Sequence, residues 1–255
     1  MKITVKVGTS TLTHKTGRLN IRRVEELCKV LSDVKNAGHE IVLVSSGAIG
    51  MGVGKLNMPE RPQDMPTKQA AAAVGQCELM YVYDKLFQEH NHTVAQILIT
   101  GEDLADQTRH DNFTNTLMRL LELGALPIIN ENDTIATSEI AVGDNDTLGA
   151  LVAASVGSDL FVVLTDIDGL YTSDPRHDES AEFIREVKEI TEEMLDGAGG
   201  GGTELSTGGM ATKLSAARIA MEAGVDMIIV NGQNPSVIYE AVDGKPVGTR
   251  FIAKK

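Results

Sequence analysis

Two lysines stand in turns of small residues at opposite ends of the sequence: Lys6 opens KVGTST and Lys213 closes STGGMATK. An ammonium group set among small residues with free backbone N–H groups suits phosphate. Between them residues 142 to 147, VGDNDT, gather Asp144, Asn145 and Asp146 on an expected tight turn. Two ammonium groups and one carboxylate constellation, brought together by folding, are the minimum parts for moving a phosphoryl group. Gly8 lets the backbone approach a ligand closely, and Lys6 alternates with Val5 and Val7 as one side of a strand would. A lysine on a first strand is also a common exposed charge. In SSGAIGMGVG, Gly47, Gly50, Gly52 and Gly54 allow tight approach, and a helix N-terminus there could present N–H groups to an anion. The same glycines equally suit close helix packing. Asp133 in NEND adds a further acceptor, although Asp and Asn are ordinary turn formers.

The acceptor of such a phosphoryl group is narrowed by what these turns lack. None of the six histidines falls in them. A hydroxyl acceptor often needs a positioned base, whereas a carboxylate with a pKa of about 4.3 is already ionised at neutral pH. A phosphate acceptor would recruit arginine, and SSGAIG, NENDT and GDND contain none. An acceptor carrying an ammonium group would need the oxygens of the two acidic turns. One carboxylate could also align a catalytic lysine, with Mg²⁺ held mainly by nucleotide phosphates and water.

These turns need elements to hold them. ITVKVGTS, IVLVSSG, PIINEND, LFVVLTDIDG and EAGVDMIIVNGQNP each read as a short apolar strand with a polar exit. Helical stripes precede two of them: Val24, Leu27, Leu31 and Val34 before Gly38, then Phe113, Leu117, Leu120 and Leu121 before Gly124. The pattern predicts an α/β fold with at least five strands in a mostly parallel central sheet and helices on both faces. Parallel strands would bring the exits GTS, SSG, NEND, TDIDG and NGQ to one edge, where ligands bind in open α/β sheets. GAGGGG at residues 197 to 202 matches the dinucleotide fingerprint literally, but no strand leads into it. It reads as a glycine hinge, which disfavours a dehydrogenase. No Walker-type G-x-x-x-x-G-K-[ST] occurs.

Composition bounds the rest. At 255 residues, with 42% hydrophobic and 23% charged residues, the balance is that of a globular chain with a substantial core. No apolar run approaches the roughly 20 residues that span a bilayer, and the first residues are too short in apolar stretch for a secretory signal, so the expected compartment is the cytoplasm. A formal net charge of -13 and the absence of Trp argue against a nucleic-acid surface. Cys28 and Cys77 are expected to be buried free thiols on helix stripes, the second beside Val74 and Tyr81. His90 and His92 read as a polar turn, since a third metal ligand is not evident nearby.

KVGTS, VSSGAIG, INEND, VGDND, LTDIDGLYTSDPR and STGGMATK, in this order across nearly the whole length, resemble the amino acid kinase family. SSGAI, NEND and GDND make the resemblance specific to members that phosphorylate glutamate, apart from the uridylate, aspartate and acetylglutamate kinases of the same fold. The resemblance implies a three-layer sandwich forming one domain, with a glutamate-binding lobe over about residues 1 to 150 and an ATP-binding lobe over about 151 to 255. It implies transfer of the ATP γ-phosphoryl group to the side-chain carboxylate of L-glutamate, giving L-glutamyl 5-phosphate, the first intermediate towards proline. Lys6 and Lys213 would stabilise the moving charge and Asp146 would orient them. Ser46, Gly47, Asp133 and Asn145 would bind glutamate. Lys6, Thr165, Asp166 and the turn Thr207, Gly208, Gly209, Met210, Ala211, Thr212 and Lys213 would hold ATP with its Mg²⁺. Proline feedback and a dimeric or tetrameric state are further expectations of kinship. Many relatives append a C-terminal PUA module, expected to be absent here because the sequence stops at GTRFIAKK. The rival readings are a family member with another acceptor and a non-catalytic amino-acid sensor.

Overall fold

The computed structural model describes residues 1–14, 18–137, 142, 144–173, 175, 178, 180–197 and 209–254. In the first half, β1 (Lys2–Val7) leads through the short α1 (Thr9–Leu12) to α2 (Ile21–Asn36) and β2 (Glu40–Ser45). Helices α3 (Ala48–Lys55) and α4 (Met65–Gln88) then precede β3 (Val94–Ile99), α5 (Gly101–Ala105), α6 (Gln107–Glu122) and β4 (Leu126–Glu131). The second half begins with α7 (Asn145–Val156) and β5 (Leu160–Thr165), followed by the short strands β6 (Leu170–Tyr171), β7 (Phe183–Ile184) and β8 (Glu186–Val187). It closes with α8 (Glu192–Gly197), α9 (Met210–Glu222), β9 (Asp226–Asn231), α10 (Val237–Val242) and β10 (Thr249–Phe251).

Eight strands form one sheet in the order β3-β4-β2-β1-β5-β9-β10-β8, with β6 and β7 as a separate antiparallel pair. From β3 to β9 every neighbour is parallel; β10 runs antiparallel to β9. The sheet is therefore mixed at one edge. Alternation along β1 decides which side chains meet which layer. Ile3, Val5 and Val7 pack with α2, α4 and α10, while Thr4 and Lys6 face the layer of α6, α7 and α9. The α2 stripe of Val24, Leu27, Leu31 and Val34 is buried, and its start is capped by Asn20, whose side chain accepts from Arg23 N.

Three strands of the sheet lie beyond the five that the sequence marks. β3 is an edge strand with only Ile99 buried, so its apolar signal is diluted. β8 and β10 are two and three residues long, too short to show a period. Cys28 is buried as expected, but Cys77 is exposed. The reason lies in α4, which buries Ala72, Gly75, Gln76, Leu79 and Tyr83 and turns Cys77 and Tyr81 to the outside. Small residues define that buried face because α3 crosses it closely: a Cβ on Gly75 would lie 1.7 Å from Ala48 O, and one on Gly52 1.8 Å from Ala71 O. The hinge reading of GAGGGG covers residues 197 to 202; Gly197 is the last residue of α8, and 198–202 lie outside the described residues. His92 Nε2 lies 3.3 Å from Ser32 O, and the described residues contain no group of three His, Cys, Asp or Glu able to hold a metal ion.

Candidate active site

Parallel order places the ends of β1, β2, β4, β5 and β9 along one edge of the sheet. Neighbouring exits are tied together: Ser46 N donates to Val7 O (3.0 Å) and Gly232 N to Thr165 O (2.7 Å). Two helices of the opposite layer then aim their first turns at this edge. α7 lies close against the sheet because Gly149 has no Cβ, which would come within 2.6 Å of the Phe161 ring and 3.4 Å of Lys6 Cβ. α9 meets α7 through Ala150 and Ala153 on one side and Ala216, Ala217 and Ala220 on the other, all buried. Small side chains at these contacts let the helices approach closely.

The result is a buried charge triad. Lys6 Nζ lies 2.6 Å from Asp146 Oδ1, and Lys213 Nζ donates to Asp146 Oδ2 at 3.1 Å. Asp146 is 1% exposed, Lys213 3% and Lys6 8%, so all three are removed from bulk water. The Lys6 contact is a close ion pair, and the buried Oδ1 accepts no well-aligned hydrogen bond among the described residues. Burial pushes the Asp146 carboxyl up, but Lys6 and Lys213 reverse that and hold it below the ordinary carboxylate range. Gly8 lies alongside this group, and a Cβ there would stand 3.4 Å from Lys6 Nζ.

Residues 144 to 146, expected on a tight turn, instead start a helix. Asp144 is the N-cap of α7, with Oδ1 accepting from Asp146 N (2.9 Å) and Thr147 N (2.8 Å). This cap fixes the direction in which Asn145 and Asp146 leave the first turn. Gly209 plays the same positional role for α9, where Thr212 Oγ1 and Lys213 N both donate to Gly209 O. Met210 and Ala211 complete that turn, half-buried. Thr207 and Gly208 lie outside the described residues.

A second group forms beside the triad. Ser46 follows β2, and Gly47, at φ 108°, is the residue from which α3 starts. Asn145 Nδ2 donates to Ser46 Oγ (2.7 Å) and to Asn130 Oδ1 (3.1 Å), and Asn130 Nδ2 donates to Gln76 Oε1 (3.0 Å). Asp133 is joined to neither group by a hydrogen bond among the described residues. Burial pushes its carboxyl up to about 6, with Arg61 pulling the other way. Burial also raises Glu131, against a hydrogen bond from Val142 N (2.6 Å) and with a further push from Asp133 and Asp144. These acidic groups make a local negative field suited to an ammonium ion. Thr165 ends β5, its hydroxyl donating to Asp166 Oδ1 at 3.2 Å. Among the described residues neither Thr165 nor Asp166 is hydrogen-bonded to the triad.

Asn130, Gln76, Glu131 and Arg61 are site neighbours that the motif reading does not single out, although Asn130 and Glu131 stand inside NEND. A signal existed for the first two, because each is a polar residue on an otherwise buried apolar stretch. Arg61 comes from the segment between α3 and α4, with no sequence signal linking it to Asp133.

Comparison with known proteins gives the same direction. Residues 1–231 match the amino acid kinase family. A glutamate 5-kinase of Clostridium perfringens is 50% identical over the whole chain and 96% of its own length. One of Clostridium tetani is 52% identical over 99% of this chain and 95% of its own. Among solved structures, a carbamate kinase of Giardia lamblia bound to AMP-PNP superposes with a TM-score of 0.71 at 18% identity, covering 99% of this chain and 98% of its own. That last likeness is one of fold.

Proposed function

The chain belongs to the amino acid kinase family, and we infer that it transfers the γ-phosphoryl group of ATP to the side-chain carboxylate of L-glutamate. The product is L-glutamyl 5-phosphate, the first intermediate towards proline. One observation carries this reading: a single buried carboxylate, Asp146, grips Lys6 with one oxygen and Lys213 with the other. A bare binding pocket for an amino acid would have no use for two ammonium groups held this way.

In the reaction a γ-carboxylate oxygen of glutamate forms a bond to the γ-phosphorus as the bond from that phosphorus to the β,γ-bridging oxygen breaks, and ADP leaves with the electron pair. The attacking carboxylate is ionised at neutral pH, so no side chain has to take a proton. Charge moves onto the transferring group and the bridging oxygen. Lys6 and Lys213 stabilise it from fixed positions, with Asp146 holding them in place so that little reorganisation accompanies transfer. Ser46, Gly47, Asp133 and Asn145 receive glutamate, the oxygens of Asp133 and Asn145 facing its ammonium group. Thr165, Asp166 and the turn from Thr207 to Lys213 receive ATP. Residues up to about 150 thus serve glutamate and the remainder ATP, with Lys6 acting across both.

Asp146 has both oxygens occupied by lysines. The donors present therefore suit Mg²⁺ that arrives as part of Mg-ATP, held by phosphates and water. We place the reaction in the cytoplasm, where ATP is available and where Cys28 and Cys77 stay as the free thiols they are. Proline, an amino acid of similar backbone, is the expected feedback inhibitor at the glutamate crevice, and the family habit is a homo-dimer or tetramer.

Hydroxylamine traps an acyl phosphate as a hydroxamate. Incubation with Mg-ATP and hydroxylamine should yield hydroxamate with glutamate, and none with aspartate, acetylglutamate or a nucleoside monophosphate. Hydroxamate with another carboxylate in place of glutamate would reassign the acceptor. No ATP consumption with any acceptor would favour the sensor reading.

A further inference from the structure

Asn145, half-buried in the first turn of α7, has its amide N–H bonds committed to Ser46 Oγ and Asn130 Oδ1. Its Oδ1 is turned away from both and accepts no hydrogen bond from the described residues. An amide held like this offers a ligand an acceptor and no donor. Asn130 can receive the Asn145 N–H only because its own Nδ2 is drawn off to Gln76 Oε1. Were Asn130 turned over, its Nδ2 would confront Asn145 Nδ2, donor against donor.

The chain of amides therefore has one sense of direction, and Gln76 is where that sense is set. Asn130 is 2% exposed and Gln76 7%, so water is poorly placed to replace a lost partner. The links also join four elements: Gln76 from α4, Asn130 from β4, Asn145 from α7 and Ser46 after β2.

We propose that Gln76, acting through Asn130, is a positioning residue that fixes the amide polarity of Asn145, so that the glutamate crevice presents an oxygen to the substrate ammonium group. This rests on the reading above that Asn145 binds glutamate. The relay gives the crevice its preference for glutamate over glutarate, the same dicarboxylate without the amine. With Gln76 unable to accept, Asn130 and Asn145 turn over in part of the population and an N–H faces the ammonium.

The test measures KM for glutamate, the inhibition constant of glutarate and KM for ATP. Gln76→Leu should raise KM for glutamate about tenfold, the order expected when the acceptor of a charged donor is lost. Glutarate inhibition and KM for ATP should change less than twofold. Glutamate and glutarate weakening alike would mean a merely structural role and would overturn the proposal. Asn130→Asp offers Asn145 an oxygen whichever way it is turned, so on that background Gln76→Leu should change KM for glutamate less than twofold; a tenfold change there also overturns it. If that variant does not fold, Gln76→Glu decides, since it keeps an oxygen opposite Asn130. KM within threefold of the native chain supports the relay, and a loss equal to that of Gln76→Leu refutes it. Asn145→Ala separates the relay from the glutamate site it serves. If it leaves the preference for glutamate over glutarate unchanged, the site reading itself fails; if it narrows that preference while Gln76→Leu does not, the relay alone fails.

Discussion

At Asp146 one carboxylate serves two ammonium groups, so the three side chains together carry one positive charge in a place nearly closed to water. A positive excess held among low-dielectric walls is worth more to a transferring phosphoryl group than the same charges in solvent. Lys6→Ala or Lys213→Ala should each lower turnover about a hundredfold with the fold intact by circular dichroism, the usual cost of one aligned charge donor. Near-normal turnover in either would discredit that lysine's role. Asp133 offers a pH test. Its carboxyl sits at about 6 because burial disfavours the charged form. Above that pH it is ionised and attracts an ammonium group, and below it the attraction is gone. At saturating ATP, kcat/KM for glutamate should climb as pH rises through about 6, and Asp133→Asn should flatten that limb. For stability the sign is opposite: the folded chain binds the proton more tightly than the unfolded one, so this group's contribution weakens as pH rises from 3.8 to about 6. The residue types of Lys6, Asp146 and Lys213 were legible from their turns. The link between Gln76 and Asn130 was not, although Asn130 stands in NEND, because a polar residue inside an apolar run shows that it needs a partner and does not show which one.

Among the elements, α3 and α4 matter for what they do to the Ser46–Gly47 turn. Gly52 and Gly75 let the two helices touch backbone to backbone, and α3 starts at that turn. Gly75→Ala would set a methyl group 1.7 Å from Ala48 O and 2.4 Å from Gly52 N, so α3 must move away. The expected result is a loss of about 2–3 kcal/mol in urea unfolding, as in other overpacked contacts, together with a higher KM for glutamate and an unchanged KM for ATP. Unchanged stability would mean that the helices can part without cost. The glycines of SSGAIGMGVG, among them Gly47 and Gly52, were readable both as an anion-binding turn and as packing devices. Gly52 and Gly75 belong to the packing, while Gly47 supplies the left-handed turn that precedes α3. The edge strands were the least legible elements, since β3 is half-exposed and β8 and β10 are too brief to repeat.

On the scale of the molecule, two halves contribute to one edge of a single sheet, β1 in the first pairing with β5 in the second. If the first half serves glutamate and the second ATP, ligand protection against heat should divide the same way. A ligand at a hundred times its Kd stabilises by about 2.7 kcal/mol. Asp133→Ala should lose the thermal shift given by glutamate and keep that given by Mg-ATP, whereas Lys213→Ala should do the reverse. Both shifts lost together in Asp133→Ala, with the fold intact, would sink the division. The amino-acid sequence by itself determined the layers and the reagents: strand and helix periods order the chain, the polar exits follow from parallel crossovers, and the small-residue turns name the two lysines. Only the tertiary structure decided that residues 6, 146 and 213 meet within 3.1 Å, and that an amide on α4 faces the one at the end of β4. Periodicity reports which face of an element is buried, but the distance between side chains far apart in sequence depends on how closely helices pack, and here that is set by the glycines and alanines between them.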